Sequence, residues 1–139
     1  MILIDTNVLI YAFELGSEFF TWSRETLVGA LTEGGAAINP VILAELCVGD
    51  CNPDTVESRL TRLGLYFLDL KAEISTMSAS AFRLYLETRK QAGTDGLDRK
   101  MPLPDFFIGA HAAVLNIPLA TVDVGRYRTY FPKVNLICP

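Results

Sequence analysis

An α/β fold built on one parallel sheet is predicted by three features of this 139-residue sequence. Apolar runs of strand length alternate with longer stretches of helix length along the chain, as in folds where helices connect parallel strands. The strand-length runs are apolar throughout, which is typical of parallel strands buried on both faces. No repeat, low-complexity tract or linker interrupts the pattern. We therefore expect residues 1–139 to form a single domain around a five-stranded parallel sheet.

Five short apolar runs are the expected strands, at residues 2–5, 36–39, 65–70, 118–121 and 134–137. Six longer stretches are the expected helices, at residues 8–15, 17–32, 41–48, 53–63, 72–92 and 104–116. Pro104 suits a first helical turn, and Gly34, Gly35 and Gly93 suit helix ends. Residues 93–104 contain two prolines and several charges, so we expect a surface loop there.

Composition limits the class of protein. Half of the residues are apolar, so a chain of this length can bury one core without disulfides. The formal net charge of −4 argues against a protein that coats nucleic acid nonspecifically, because that mode needs an extended basic face. It does not exclude an enzyme that holds phosphates through metal ions.

The expected environment is the cytoplasm. Met1 leads directly into the first predicted strand, and no signal peptide or membrane-spanning run is found, so no membrane partner is expected. Cys47, Cys51 and Cys138 are odd in number and lack a zinc-binding spacing. We expect all three to stay reduced.

Four acidic residues interrupt otherwise apolar segments. Asp5 ends the first predicted strand, and Asp123 follows the fourth. Glu45 lies a turn into the helix after the second strand, and Asp105 lies in the first turn of the last predicted helix. A lone buried charge is costly, so carboxylates in such places imply a compensating cation or basic partner. Because ligands of open parallel sheets bind beyond the carboxyl ends of the strands, we expect the four acids to converge on one edge.

An acidic cluster of this kind is typical of a site for Mg²⁺ or Mn²⁺. These cations take oxygen ligands and keep several waters, so carboxylates and substrate phosphate oxygens complete the coordination shell. Such a cation lowers the pKa of a bound water and neutralises charge on a departing oxygen. The reaction that the cluster predicts is hydrolysis of phosphodiester bonds.

The acids lie in four motifs that span nearly the whole chain: Leu3-Ile-Asp-Thr-Asn-Val-Leu9, Ile42-Leu-Ala-Glu-Leu46, Leu103-Pro-Asp-Phe-Phe-Ile-Gly-Ala-His-Ala112 and Ala120-Thr-Val-Asp123. In order and spacing, this set resembles PIN-domain proteins, in particular the VapC-type toxins of prokaryotic toxin–antitoxin pairs. The resemblance implies a three-layer α/β/α sandwich with a central five-stranded parallel sheet. It also implies a metal-dependent endoribonuclease that acts as the toxin of a type II pair.

Carried over position by position, the resemblance implies roles for individual residues. The catalytic and metal-binding acids are expected to be Asp5, Glu45, Asp105 and Asp123. Thr6 and Asn7 are expected to orient the first acid or a metal-bound water. One departure concerns the last motif, where many relatives carry Thr-x-Asn-x-x-Asp-Phe and this chain has Thr121-Val-Asp-Val-Gly-Arg-Tyr127. Arg126 thus stands where a second acid often stands, which predicts weaker binding of a second metal ion.

The expected partners follow from the same resemblance. A VapC-type toxin is expected to form a homodimer and to bind a small antitoxin, whose helix packs in a groove and whose basic residue enters the acidic site. The high apolar content is consistent with apolar surface left for such a partner. RNA contacts are expected from basic residues in the loops that flank the last two acids, namely Arg99, Lys100, Arg126 and Arg128.

Alternative interpretations stay open. Each acid has a plain structural one: helix capping for Asp5, an exposed helix face for Glu45, the helix dipole for Asp105 and a turn for Asp123. His111, the only histidine, is expected to be a packed or partner-facing residue rather than a general base. A noncatalytic PIN-fold binding domain usually shows a broken acid set. A phosphatase of the haloacid-dehalogenase type needs a second aspartate two positions after the first, where this chain has Asn7.

Overall fold

Five short parallel strands form the central sheet of the protein, in the order β3-β2-β1-β4-β5. The computed structural model describes residues 1–93 and 103–139. The strands are β1 (Ile2–Ile4), β2 (Ala36–Ile38), β3 (Tyr66–Phe67), β4 (Leu119–Ala120) and β5 (Leu136–Ile137). Leu3 lies at the centre of the register, beside Ala37 of β2 and Leu119 of β4. The prediction of one five-stranded parallel sheet is therefore confirmed.

Burial of the strands explains why their sequences are apolar throughout. Every residue of β2 is buried, as are Leu3 and Ile4 of β1 and both residues of β4. Strands buried in this way are covered by helices on both faces, which is the three-layer α/β/α arrangement. By contrast, β3 is an exposed strand at the edge of the sheet. Its pairing with β2 ends at Leu68, whose amide donates to the carbonyl of Ile38. The predicted strand over residues 65–70 was therefore too long.

Seven α-helices lie in the described part of the chain: α1 (Thr6–Tyr11), α2 (Phe20–Glu33), α3 (Pro40–Gly49), α4 (Val56–Leu63), α5 (Ala72–Gln91), α6 (Leu103–Leu115) and α7 (Val124–Tyr130). A 3₁₀ turn at Pro53–Thr55 precedes α4. None of the helices in the two described segments is long and apolar enough to cross a membrane.

All six predicted helices are present, with shifted ends. The first starts at Thr6, immediately after the strand, because the Asp5 carbonyl already accepts from the amides of Val8 and Leu9. The seventh helix, α7, was not predicted. The expected loop over residues 93–104 ends earlier than predicted, since Leu103 and Pro104 belong to α6, and residues 94–102 lie outside the described residues.

An aromatic cluster anchors α6 against its neighbours. Phe106 is fully buried, and its ring centroid lies 5.2–6.2 Å from the rings of Phe82, Tyr85, Tyr130 and Phe131. One turn further along α6, Gly109 lies directly against the Phe131 ring, since a Cβ atom at Gly109 would be 2.3 Å from a Phe131 ring carbon. The cluster therefore fixes the helix that carries Asp105.

Candidate active site

Asp5 is delivered to the carboxyl edge of the sheet by β1. Its amide donates to the carbonyl of Ala120 at 3.0 Å, so it extends the pairing of β1 with β4 by one residue. The side chain is 3% exposed and makes no capping hydrogen bond to α1. Asp5 therefore stands at the N-cap position of α1 without capping the helix through its side chain.

Three side chains donate hydrogen bonds to one oxygen of Asp5, Oδ2. Asn7 donates through Nδ2 at 2.9 Å, Thr121 through its hydroxyl at 2.6 Å, and Tyr127 through its hydroxyl at 3.1 Å. Asn7 is itself fixed, because its Oδ1 accepts from the amide of Val122 at 3.3 Å. The carboxyl is thus held in one orientation by a residue of α1, the residue that follows β4 and a residue of α7.

Burial dominates the electrostatics of Asp5. It raises the pKa of the carboxyl from 3.8 to about 6, because the charged form loses its hydration. The bonds from Thr121 and Tyr127 lower the pKa, and the nearby charge of Asp105 raises it. A carboxyl with these properties favours a compensating cation at neutral pH.

Glu45 reaches the same edge from α3. Asn39 starts that helix, and its Oδ1 accepts from the amides of Val41 and Ile42, both at 3.0 Å. The Glu45 side chain is half-buried and accepts a short hydrogen bond from the Thr6 hydroxyl. Thr6 was expected to orient the first acid or a metal-bound water. It contacts the second acid because it begins α1, which packs against α3.

Asp105 and Asp123 both pair with the guanidinium of Arg126. Arg126 Nη1 donates to Asp105 Oδ2 at 2.6 Å and lies 3.6 Å from Asp123 Oδ2. Asp105 is 8% exposed in the first turn of α6. Asp123 precedes α7, its amide donates to the Thr121 hydroxyl at 3.0 Å, and its carboxylate is about half exposed.

The four acids lie close enough to affect one another. Burial raises the pKa of Asp105, and Glu45 and Asp123 raise it further, while Arg126 lowers it. Since Asp105 in turn raises the pKa of Asp5, it is the carboxylate that couples the cluster. The structure therefore brings Asp5, Glu45, Asp105 and Asp123 together at one edge of the sheet.

The cluster fits a divalent cation in charge and in chemistry, because its donors are carboxylate oxygens whose mutual repulsion a cation relieves. Within residues 1–93 and 103–139, however, no three histidine, cysteine, aspartate or glutamate side chains are arranged to hold a metal ion. All four acids make other contacts: Glu45 with Thr6, Asp105 and Asp123 with Arg126, and Asp5 with its three hydrogen-bond donors. In this state the positive charge in the cluster is a guanidinium.

The remaining predicted residues have separate positions. His111 is 1% exposed, and its Nδ1 lies 3.1 Å from Asn39 Nδ2. Its Nε2 has no hydrogen-bond partner among the described residues, and burial lowers its pKa, so it is a packed residue. Arg128 is exposed on α7. Arg99 and Lys100 lie outside the described residues. Cys47, Cys51 and Cys138 are free thiols, as expected.

Sequence reasoning missed the roles of Thr121 and Tyr127. Both lie in the last motif, but neither is acidic, and the motif alone does not show that their hydroxyls meet Asp5. The signal available was the position of Tyr127 directly after Arg126, where relatives of the resembled family carry phenylalanine. A tyrosine there adds a hydroxyl at a buried position.

An apolar groove of about 410 Å³ adjoins the acidic cluster at Glu45. Phe13 and Ile10, 59% and 48% exposed, contribute apolar side chains to it. The other lining residues come from α1, α3, α4 and the segment between the last two, and they include Leu9, Leu46, Val56, Arg59, Leu60 and Leu63. A groove of this composition offers apolar contact area that includes a carboxylate of the cluster.

Replacing Tyr127 by phenylalanine is expected to raise the pKa of Asp5 further, because a donor to the charged carboxylate is lost. Loss of a hydrogen bond to a charged group is also expected to destabilise the protein by about 1–3 kcal/mol at pH 7. Carbon-13 NMR of the Asp5 carboxyl and urea unfolding measure the two effects. Tyr130→Phe, on the same helix, is the matched control and should leave the pKa of Asp5 unchanged; equal shifts in both variants would contradict the assignment.

Comparison of the structure with known structures finds close similarity in fold. One chain of a toxin–antitoxin complex from Klebsiella pneumoniae matches with a TM-score of 0.64 and 21% identity, over 100% of this chain and 98% of that chain. A chain of VapBC-1 from nontypeable Haemophilus influenzae matches with a TM-score of 0.67 and 21% identity, over 99% and 98%. VapC20 of Mycobacterium tuberculosis, a sarcin–ricin-loop-cleaving toxin, matches with a TM-score of 0.66 and 11% identity, over 97% and 99%.

Comparison of the sequence identifies the family. No match was found among curated proteins. The family model of the PIN domain matches residues 2–132, a span that contains all four acids and the donors that hold Asp5. This chain belongs to the PIN domain family.

Proposed function

We propose that this PIN domain, formed by residues 1–139, is a metal-dependent endoribonuclease and the toxin of a type II toxin–antitoxin pair, and that it acts in the cytoplasm. The observation that carries the proposal is the convergence of four electrostatically coupled carboxylates on the carboxyl edge of the sheet. Family membership supports nuclease activity. The similarity in fold to the toxins named above supports the toxin assignment.

In this proposal Asp5, Glu45 and Asp105 hold Mg²⁺ or Mn²⁺, with Asp123 as the fourth acid. When bound, such a cation activates water and neutralises charge on the phosphodiester. The chain's own residues set the positions of these acids: Asn7, Thr121 and Tyr127 fix the first, and Thr6 fixes the second. Side chains held in this way are pre-organised for chemistry.

Basic residues beside the acids are proposed to contact the phosphates of RNA. Arg126 and Arg128 both lie on α7, which begins directly after Asp123. Contacts of this kind position a nucleic acid without reading its sequence. Arg99 and Lys100 remain predicted contacts of the same kind.

The proposed protein partner is a small antitoxin bound in the groove beside Glu45. Exposed apolar side chains such as Phe13 and Ile10 suit the apolar face of an amphipathic helix. Because Glu45 of the cluster also lines the groove, a basic residue of the same partner can reach the acids. A homodimer is proposed by analogy with the resembled toxins.

The test is cleavage of structured and single-stranded RNA by the purified wild type in Mg²⁺, Mn²⁺ or EDTA. We expect cleavage that requires the metal and falls more than a thousandfold in Asp105→Asn. The matched control is Asp54→Asn, which alters an exposed aspartate of the 3₁₀ turn and should cleave like the wild type. Absence of cleavage under all conditions, together with no calorimetric binding of Mn²⁺, would favour a noncatalytic binding domain.

A further inference from the structure

Arg126 is a positive charge built into the acidic cluster. Its guanidinium donates to Asp105 Oδ2 at 2.6 Å and lies 3.6 Å from Asp123 Oδ2, so it bridges two of the four acids. The Arg126 side chain is only 27% exposed, and that of Asp105 only 11%. An ion pair in this setting is weakly screened by solvent, so the charge acts strongly on its neighbours.

Helix α7, which carries Arg126, is held in place by contacts with buried residues of other elements. The next residue, Tyr127, is 1% exposed and donates to Asp5, and Phe131 at the end of α7 packs against Gly109 of α6. Arg126 is therefore held at the cluster by its backbone as well as by its ion pairs. Burial lowers the pKa of the guanidinium, but the attraction of Asp105 and Asp123 outweighs this and raises it, so the charge is present at every accessible pH.

A fixed cation between two carboxylates competes with a mobile one for the same oxygens. A second divalent ion at Asp105 and Asp123 would lie within a few ångströms of the guanidinium, where like charges repel strongly. Asp5 and Glu45 have no ion pair with Arg126 and make their bonds to neutral side chains, among the residues that the structure describes. Arg126 thus occupies the side of the cluster formed by Asp123 and Oδ2 of Asp105, and it makes no ion pair on the side of Asp5 and Glu45.

We propose that Arg126 is the second cation of this site, so that the chain binds one divalent metal ion rather than two. The inference rests on the proposed metal-dependent nuclease function. Asp5, Glu45 and Asp105 are left to the metal ion, while Asp123 and one oxygen of Asp105 are neutralised by the guanidinium. A site with four carboxylates then binds only one divalent metal ion, because the guanidinium takes the place of the second.

The test is a calorimetric titration of metal-free protein with Mn²⁺ at pH 7, which counts bound ions without measuring cleavage. We expect one Mn²⁺ per chain for the wild type, one for Arg126→Lys, which keeps the charge, and two for Arg126→Gln. Arg128→Gln removes a charge from the same helix, two residues further along, and should bind one ion as the wild type does. Circular dichroism checks that each variant is folded.

The proposal is overturned if Arg126→Gln binds the same number of ions as the wild type, including none, or if the wild type binds two. Should Arg126→Gln not fold, the count on the wild type decides alone, one ion supporting the proposal and any other number overturning it. The RNA cleavage assay is read separately. Cleavage with an unchanged ion count overturns only the role of Arg126, whereas a raised ion count without cleavage overturns only the nuclease function.

Discussion

Replacing Asp5 by asparagine is expected to abolish RNA cleavage and, in the same molecule, to stabilise the metal-free protein. Asp5 is the most buried of the four acids, and under the proposed function it holds the metal. Removing its charge is therefore expected to lower the cleavage rate more than a thousandfold. The same change removes an ionised group from a site where burial penalises charge.

The gain in stability follows from the pKa of Asp5. Raising it from 3.8 to about 6 corresponds to a penalty of up to about 3 kcal/mol on the ionised form in the folded state. Asparagine is neutral and nearly the same shape. Its amide oxygen can take the place of Oδ2 as acceptor for Asn7, Thr121 and Tyr127. We therefore expect Asp5→Asn to raise the free energy of unfolding by up to about 3 kcal/mol at pH 7 in EDTA.

The expected pH dependence has a definite sign. A carboxyl whose pKa is higher in the folded than in the unfolded state binds its proton more tightly when folded. Its stabilising contribution is complete below pH 3.8 and is lost as the pH rises through about 6. The gap in stability between Asp5→Asn and the wild type should therefore widen between pH 4 and pH 7.

Urea unfolding in EDTA at several pH values measures that gap. Subtracting the wild type from the variant at each pH removes the contribution of titrating groups that do not interact with Asp5, such as His111, whose pKa burial lowers. Asp54→Asn, at an exposed position, should show no such widening. An Asp5→Asn protein that is less stable than the wild type at pH 7 would show that the three donors require the charge.

The sequence predicted those parts of the fold that depend on local apolar pattern. The runs around Leu3, Ala37 and Leu119 are short and apolar because they lie in strands buried on both faces, and all five strands were found. The overestimated strand at residues 65–70 lies at the sheet edge, where a single neighbour pairs with it. Edge position is a property of the topology, which the apolar pattern does not encode.

The sequence likewise predicted only part of the candidate site. The acids were recognisable because a charge inside an apolar run is costly, and the carboxyl ends of parallel strands meet at one edge. Helix α7 was missed because Val124–Tyr130 is only seven residues long and contains a glycine. That helix is held by contacts from distant parts of the chain, Tyr127 with Asp5 and Phe131 with Gly109. The position of Arg126 among the acids depends on it and could not be read from the sequence.

Replacing Phe106 by alanine is expected to destabilise the protein by about 3–5 kcal/mol, because it leaves a cavity at the centre of the aromatic cluster. The side chain is fully buried, and its ring contacts four other aromatic rings from α5, α7 and the residue after α7. Its carbonyl also accepts from the Ser78 hydroxyl at 3.3 Å. Urea unfolding measures the loss, and a change below about 1 kcal/mol would show that the neighbouring rings close the cavity.

Phe13→Ala is the matched control, since it removes the same ring from a position that is 59% exposed. Its stability is expected to change by less than about 0.5 kcal/mol. Because Phe13 lines the groove beside Glu45, its loss should instead weaken binding of the proposed antitoxin. Phe106→Ala, measured where it remains folded, should bind that protein like the wild type. The two variants thereby separate the two effects: the Phe106 ring contributes to stability, and the Phe13 ring contributes to partner binding.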